Sequence, residues 1–568
     1  MHRRLWLSVV MLTAGAGLLL AGAFASAAGS SSTPEAKLAA KVKRGGTFRV
    51  DFVSDVDHMD PALAYGTSSW WIEYATAAKL MNYPDAPAPR GTRLLPEVAA
   101  GPPRVSSGGR VYTFRIRRGY RFSNGRPVTA KHFQQAFFRN LQKEIQSPAE
   151  AFITDANGTN IVGATAVRDQ GRGLSALTGV RVRGNRLTIR LTRSDPTFLA
   201  KLSMPFFQAT WTGLPLRREV ININDRNDLP SAGPYYVSFR EPNRSIVVRR
   251  NPFYRRGAGR TRPQNIAEVR IKIGVSEEGG YREVLANQAD EGPIPPAEHA
   301  GLARRFGVNR ARYWVKPRVC IRYLAMNNDS PLFRNNTPLR RAVNYVIRRR
   351  AMVDQYGAFA GSPHDQILPP GMPGFRNANI YPLGTPNVAR ARRLARGRTR
   401  GGRAVYFFFN NSAAARAVTE VNRTDLSRIG LQMEPRGFRG FDLYDAAGVR
   451  GSEHSITQAG WCQDYPDPYD FINVLLFGPS IQAENNVNVA YMNSPRYNTR
   501  MRRAARLLGA ARLRTYGSLD IDIMRNFAPW AVFGTINNRF LFSSSVDPRG
   551  LVYQPIYEDF AIPTLAKR

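Results

Sequence analysis

Residues 458–471 (Gln-Ala-Gly-Trp-Cys-Gln-Asp-Tyr-Pro-Asp-Pro-Tyr-Asp-Phe) bring three carboxylates, four aromatic side chains and a cysteine into one short stretch. Pro466 and Pro468 exclude a helix through this segment and impose an extended or turning backbone. Such a loop can hold Asp464 beside an apolar wall made by Trp461. The pairing suits a ligand with an ammonium group and a non-polar remainder, because carboxylates and aromatic faces both attract cations. The competing reading is an acidic surface turn around a buried tryptophan, since structural loops outnumber binding loops. Hydrolytic chemistry has less to stand on. The chain contains no Gly-x-Ser-x-Gly and no His-Glu-x-x-His, and its six histidines are scattered with no pair at metal-ligand spacing. We therefore expect no catalytic residues, no metal site and no cofactor.

The elements that must position this stretch come from a chain of 568 residues, long enough for two or three domains with sizeable cores. Its net charge of +39 raises nucleic acid or an anionic membrane as a partner, but the arginines occur as pairs and triplets (Arg348-Arg349-Arg350, Arg392-Arg393) without any nucleic-acid-binding spacing. The expectation is a solvated arginine-rich surface and no nucleic acid.

Arg3 and Arg4 precede an apolar run over residues 5–20, and Ala25-Ser26-Ala27 offers a small-x-small cleavage signal. This predicts a signal peptide over 1–27 and a Ser-rich tether over 28–44; a retained membrane anchor is the alternative. No cysteine follows the run, so the chain is not expected to be a lipoprotein, and its place is outside the cytoplasm, periplasmic or extracellular. Cys320 and Cys462 are the only cysteines. In an exported protein such a pair is a disulfide candidate, with two free buried thiols as the other option.

Alternating patterns predict strands at 45–52, 111–117, 180–182, 187–191, 231–237 (pairing with 245–250), 269–273, 319–327, 405–409 and 531–542. Helices are expected near 72–81, from the Thr129 cap through Phe133, Phe137, Leu141 and Ile145, near 281–288, and near 501–516. Another is expected from Leu339 to about Gln355, capped by Thr337 and exposing Arg340, Arg341, Arg348 and Arg349. Irregular interleaving of this kind indicates mixed α/β with more than one sheet.

Several ordered motifs then fall into place: Gly45-Gly46-Thr-Phe, Met59-Asp60-Pro61, Tyr112-Thr-Phe-Arg-Ile-Arg-Arg-Gly119 with Phe122-Ser-Asn-Gly-Arg-Pro-Val-Thr-Ala130, Gly233-Pro-Tyr, Arg250-Asn-Pro-Phe-Tyr254, and Ala325-Met-Asn-Asn328 with Leu339-Arg-Arg-Ala-Val-Asn-Tyr345. The set resembles the extracytoplasmic solute-binding proteins of peptide-type ABC importers, the oligopeptide, dipeptide and nickel-binding family 5. The resemblance implies an α/β, periplasmic-binding-protein-like clamshell (type II, cluster C) with an extra inserted domain. Lobe I would comprise 45–92, 233–319 and 532–568, the extra domain 93–232, and lobe II 320–531. It implies a monomer that binds a peptide or other small solute by lobe closure and delivers it to membrane ABC permease subunits, without catalysis. Nickel chelates, haem, sugars and opines are the other solutes such folds take. Asp464 would pair with a peptide's α-ammonium group, Trp461 would lie along the ligand, and backbone groups of Gly460, Cys462 and Thr67 would meet its main chain. The resemblance also implies a Cys320–Cys462 disulfide. Arg349 departs from the acidic residue the family often has after its helix, a change expected at the surface only.

Overall fold

The computed structural model describes residues 42–154, 160–254 and 262–568. The expected signal peptide, its cleavage site and residues 28–41 of the tether lie outside the described residues. Among the described residues no helix is long and apolar enough to cross a membrane.

Three sheets organise residues 42–568. In the first, strand Thr47–Phe52 pairs in parallel with Glu268–Ile273, and antiparallel strands Ser245–Arg250 and Tyr235–Glu241 complete it. Its alternation buries Phe48, Val50, Val269, Ile271, Ile246 and Val248. The second is an antiparallel sheet in the order Arg104–Ser106, Val111–Arg115, Arg186–Arg190, Val180–Arg183. The helix Ala130–Arg139 lies against it and buries Phe133 and Phe137. Thr129 opens that helix through a capping box with His132. The third sheet runs Gln432–Phe438, Arg403–Phe409, Ile456–Cys462, Tyr313–Met326, Trp530–Leu541. It carries the largest core, including Leu339, Val343, Ile472 and Ile523 from the covering helices.

The long strand Tyr313–Met326 pairs with Trp530–Leu541 on one edge and, from Cys320 onward, with Ile456–Cys462 on the other. The register with Trp530–Leu541 shifts between Pro317 and Ile321, where proline cannot donate to the ladder.

Several helices differ from the sequence reading. The first starts earlier, at Thr67–Thr76. The helix expected over 339–355 is two, Thr337–Val346 and Arg349–Asp354, and its cap is Asn336, whose side chain accepts from the Leu339 amide. Arg340 and Arg349, expected at the surface, are buried at 2% and 0% exposure. Arg349 donates to the carbonyls of Asn344, Val532 and Pro382 and to the Asn344 side chain; Arg340 donates to the carbonyls of Phe333 and Phe527 and to Thr337 Oγ1. A five-donor fork can bond several carbonyls at once, so each buried guanidinium is hydrogen-bonded and not stranded. Burial pulls both guanidiniums down to about 10, still cationic at neutral pH.

Candidate ligand-binding cleft

Residues 458–471 form a strand, a turn and a helix start, not a single loop. The strand Ile456–Cys462 is paired on both edges only at its beginning, where Ile456 and Thr457 meet Tyr406 and Phe407. Beyond Thr457 that edge is open, while the other edge stays bonded to the long strand as far as Cys462 opposite Cys320. The amide of Gln463 donates to Val319, so odd positions face the long strand and the even positions Gly460 and Cys462 turn their main-chain groups to the open edge. At Gly460 the Tyr444 hydroxyl occupies that edge, accepting from the amide at 3.1 Å and donating to the carbonyl at 3.3 Å. The two prolines then turn the chain, and the helix Tyr469–Leu476 begins directly after Pro468. Arg512 fixes the turn through a bidentate pair with Asp467 at 2.9 and 2.8 Å.

Asp464 sits at the mouth of this turn, only 7% exposed. Its Oδ2 accepts from the Tyr65 hydroxyl at 2.7 Å, and its amide donates to Asp470 at 2.9 Å. Tyr65 is itself held from behind. Asp57 accepts the amides of Tyr65 and Gly66 at 2.6 and 2.8 Å and the Ser69 hydroxyl, pinning the entry to the helix Thr67–Thr76. Trp461 stands edge-on to the Tyr65 ring at 5.8 Å. Burial pushes the Asp464 carboxyl up to about 7, the hydrogen bonds from Tyr65 and Asp470 opposing it. Asp470 is raised as well, by burial and then by Asp464. Two acids so close in a dry site cannot both ionise without a cation between them or nearby.

All of this opens onto a cavity of about 1580 Å³. Asp464, Trp461, Gly460, Cys462 and Thr67, the five residues expected to meet ligand, all line it. So do Tyr65, Asp57, Tyr444, Arg318, Tyr557 and Glu558, to which the sequence reading gave no role. Asp470 stood in the stretch 458–471, where its type was the only available signal, and Tyr65 carried no mark at all. Tyr444, Tyr557 and Glu558 reach the site from elements with no local mark of it. The walls touch across the opening: Asn411 Nδ2 donates to Ser54 Oγ at 3.2 Å. A Cβ added to Gly66 would lie 2.7 Å from Cζ of Phe441, an exposed ring that would have to swing aside.

Cys320 and Cys462 are joined as a disulfide between facing positions of neighbouring strands. Glu558 Oε2 lies 3.1 Å from Cys320 Sγ and 3.0 Å from Arg318 Nε, so the C-terminal segment packs on the bridge. The two sulfurs and Glu558 are close enough for one ion, but the sulfurs are bonded to each other. Replacing both cysteines by alanine is expected to lower the melting temperature without preventing folding, because each sheet keeps its core. The chain-entropy model sets the upper bound at about 4–5 kcal/mol for so long a loop. Calorimetry checks the shift, and non-reducing peptide mapping of exported protein checks the pairing.

Sheets with cores of their own around a solute-sized cavity, with an open strand edge and a buried carboxyl in its wall, fit a two-lobed solute-binding clamshell. Comparison with known proteins agrees. Residues 93–482 match the family model of bacterial extracellular solute-binding proteins, family 5, and the chain belongs to that family. The probable deoxycholate-binding periplasmic protein YgiS of Escherichia coli K12 is 22% identical, over 72% of this chain and 74% of its own. The peptide transport periplasmic protein SapA of Salmonella typhimurium is 23% identical, over 86% of each chain. Among solved structures, the clavulanic acid biosynthesis oligopeptide binding protein 2 superposes with a TM-score of 0.77 at 22% identity, covering 92% of this chain and 96% of that one.

Proposed function

We propose that this protein is exported, captures a peptide or a similar amine-bearing solute between its lobes, and delivers it to ABC permease subunits in the membrane without transforming it. The lobes proposed are 45–92 with 233–319 and 532–568, and 320–531, with 93–232 as the extra domain. The observation that carries the reading is the buried Asp464–Tyr65 pair beside a strand edge that no strand covers beyond Thr457, held at Gly460 by the Tyr444 hydroxyl alone. An α-ammonium group would donate to the ionised carboxylate, and the following peptide unit would pair along that edge as an added strand. In this reading Trp461 covers the first side chain and Thr67, at the start of its helix, meets the main chain from the opposite wall.

A second reading has one observation in its favour. Tyr444 already takes both main-chain groups of Gly460, and Tyr65, Trp461, Phe409 and Phe441 give the cavity an aromatic lining suited to a flat, non-peptide solute. Mass spectrometry of ligand released from protein purified out of its own export compartment distinguishes them. A peptide series is expected; a single aromatic or steroidal mass with no peptide would overturn the first reading.

A further inference from the structure

A strongly basic stretch, residues 390–403, has no part in the cleft. Residues 366–419 contain nine arginines and not one aspartate or glutamate. Seven of the nine fall between Arg390 and Arg403, and all seven are exposed. The helix Val388–Ala395 turns Ala391 and Ala395 inward and packs on Thr337–Val346, leaving Arg390, Arg392 and Arg393 outside. The loop after it displays Arg396, Arg398 and Arg400, kept tight by Gly397, Gly401 and Gly402 at φ +67°, +87° and +77°.

These charges are positioned but not neutralised. Arg392 donates to the Arg428 carbonyl at 3.0 Å, Arg400 to the Arg334 carbonyl at 2.9 Å, and Arg390 lies over the Tyr345 ring at 4.3 Å. Among the described residues only Arg403 of the seven has a carboxylate partner, Glu434. No residue between Tyr323 and Phe409 lines the cavity, so the face and the binding site are separate.

We propose that this face docks the protein onto an anionic membrane surface. A protein partner would be expected to present apolar anchors, and no large apolar side chain is exposed between residues 360 and 440. Single-stranded nucleic acid would call for aromatic platforms, and residues 388–403 contain no aromatic residue. What remains is uncompensated guanidinium charge on a helix and the loop beside it, the complement of a plane of lipid phosphates. Each basic side chain near such a plane raises partitioning by about fivefold at moderate ionic strength. A solute-delivery protein held this way stays in the layer where its permease lies.

The test is co-sedimentation of the full chain with vesicles of phosphatidylcholine containing about 30 mol % phosphatidylglycerol, at about 0.1 M salt and again at about 0.5 M. Vesicles of phosphatidylcholine alone report any contribution of the N-terminal apolar run. Wild type is expected to bind the anionic vesicles and to be released by salt. Combining Arg390→Gln, Arg393→Gln, Arg396→Gln and Arg398→Gln is expected to lower that binding at least about tenfold. Melting temperature and solute affinity should not change. The control combines Arg104→Gln, Arg183→Gln, Arg186→Gln and Arg193→Gln, exposed arginines around the sheet Arg104–Arg190, removing the same charge elsewhere. An equal fall in the control would overturn the proposal in favour of net charge alone. Equal binding to neutral and anionic vesicles would overturn it outright. Tighter binding to a short DNA strand, lost with the same four substitutions, would replace it with a nucleic-acid surface.

Discussion

Replacing Asp464 by Asn is expected to weaken binding of a free-amine peptide by about ten- to hundredfold and to leave the N-acetylated form of that peptide bound as before. Asn keeps the shape and an acceptor for the Tyr65 hydroxyl but removes the charge, and charge-assisted hydrogen bonds contribute about 1.5–3 kcal/mol. Proton linkage gives the substitution a second signature. With no cation nearby, burial holds the Asp464 carboxyl at about 7, whereas the unfolded chain releases its proton near 4. Between those values the folded protein carries more protons than the unfolded one. Its ligand-free stability should therefore fall as pH rises from about 4 to 7 and level off above. An ammonium ligand needs the ionised carboxylate, so its affinity should rise over the same interval, with a proton released on binding below pH 7. Asp464→Asn should flatten the affinity profile and remove one carboxyl's share of the stability profile, the buried Asp51, Asp520 and Asp559 keeping theirs. Calorimetry in buffers of different ionisation enthalpy reads the proton directly. Equal affinity of wild type for the free and acetylated peptides would show that Asp464 does not read an amine.

The largest loss of stability is expected at the pair Asp60–Arg139, away from the ligand. The guanidinium meets both carboxylate oxygens at 2.8 Å, with the two side chains 1% and 3% exposed, and it also donates to the Pro215 carbonyl. Asp60 in turn accepts the Ala62 amide. The pair ties the loop leading to Tyr65 onto the end of the helix Ala130–Arg139. Arg139→Met strands a buried carboxylate and is expected to cost about 3–5 kcal/mol; Asp60→Asn alone should cost a similar amount. The double variant should be less damaged than the sum of the two, because neither charge is then left alone. Thermal unfolding of the two singles and the double checks this, and additive losses would show that the two residues act independently. Solute affinity should fall in the singles through Tyr65, whose position depends on this loop.

The alternation of Val111–Arg115, Ser245–Arg250 and Glu268–Ile273 was legible without a structure, because a half-buried strand writes its two faces into successive residues. The capping of Ala130–Arg139 by Thr129 was legible for the same reason: its partners lie within one turn. The ordered motifs fixed the family and, through it, the fold. Break points in helices were not legible. The interruption at Ile347 and Arg348 exists because Asp425, from a distant helix, accepts the Arg348 amide and side chain, and no local pattern encodes that. Burial of Arg340 and Arg349 was hidden likewise, since the carbonyls that satisfy them come from Phe527 and Val532.

At the site, the sequence by itself determined where the chain turns, through Pro466 and Pro468. Proline geometry and residue type are properties of the chain. Only the tertiary structure decided that Tyr65, 399 positions away, is the partner of Asp464, and that Tyr444 occupies the strand edge at Gly460. It also decided that Asp464 is buried enough to hold a proton near neutrality. The physical reason is the same in each case: desolvation and hydrogen bonding depend on what the folded chain brings within a few ångströms, and contacts made across hundreds of residues leave no periodicity behind.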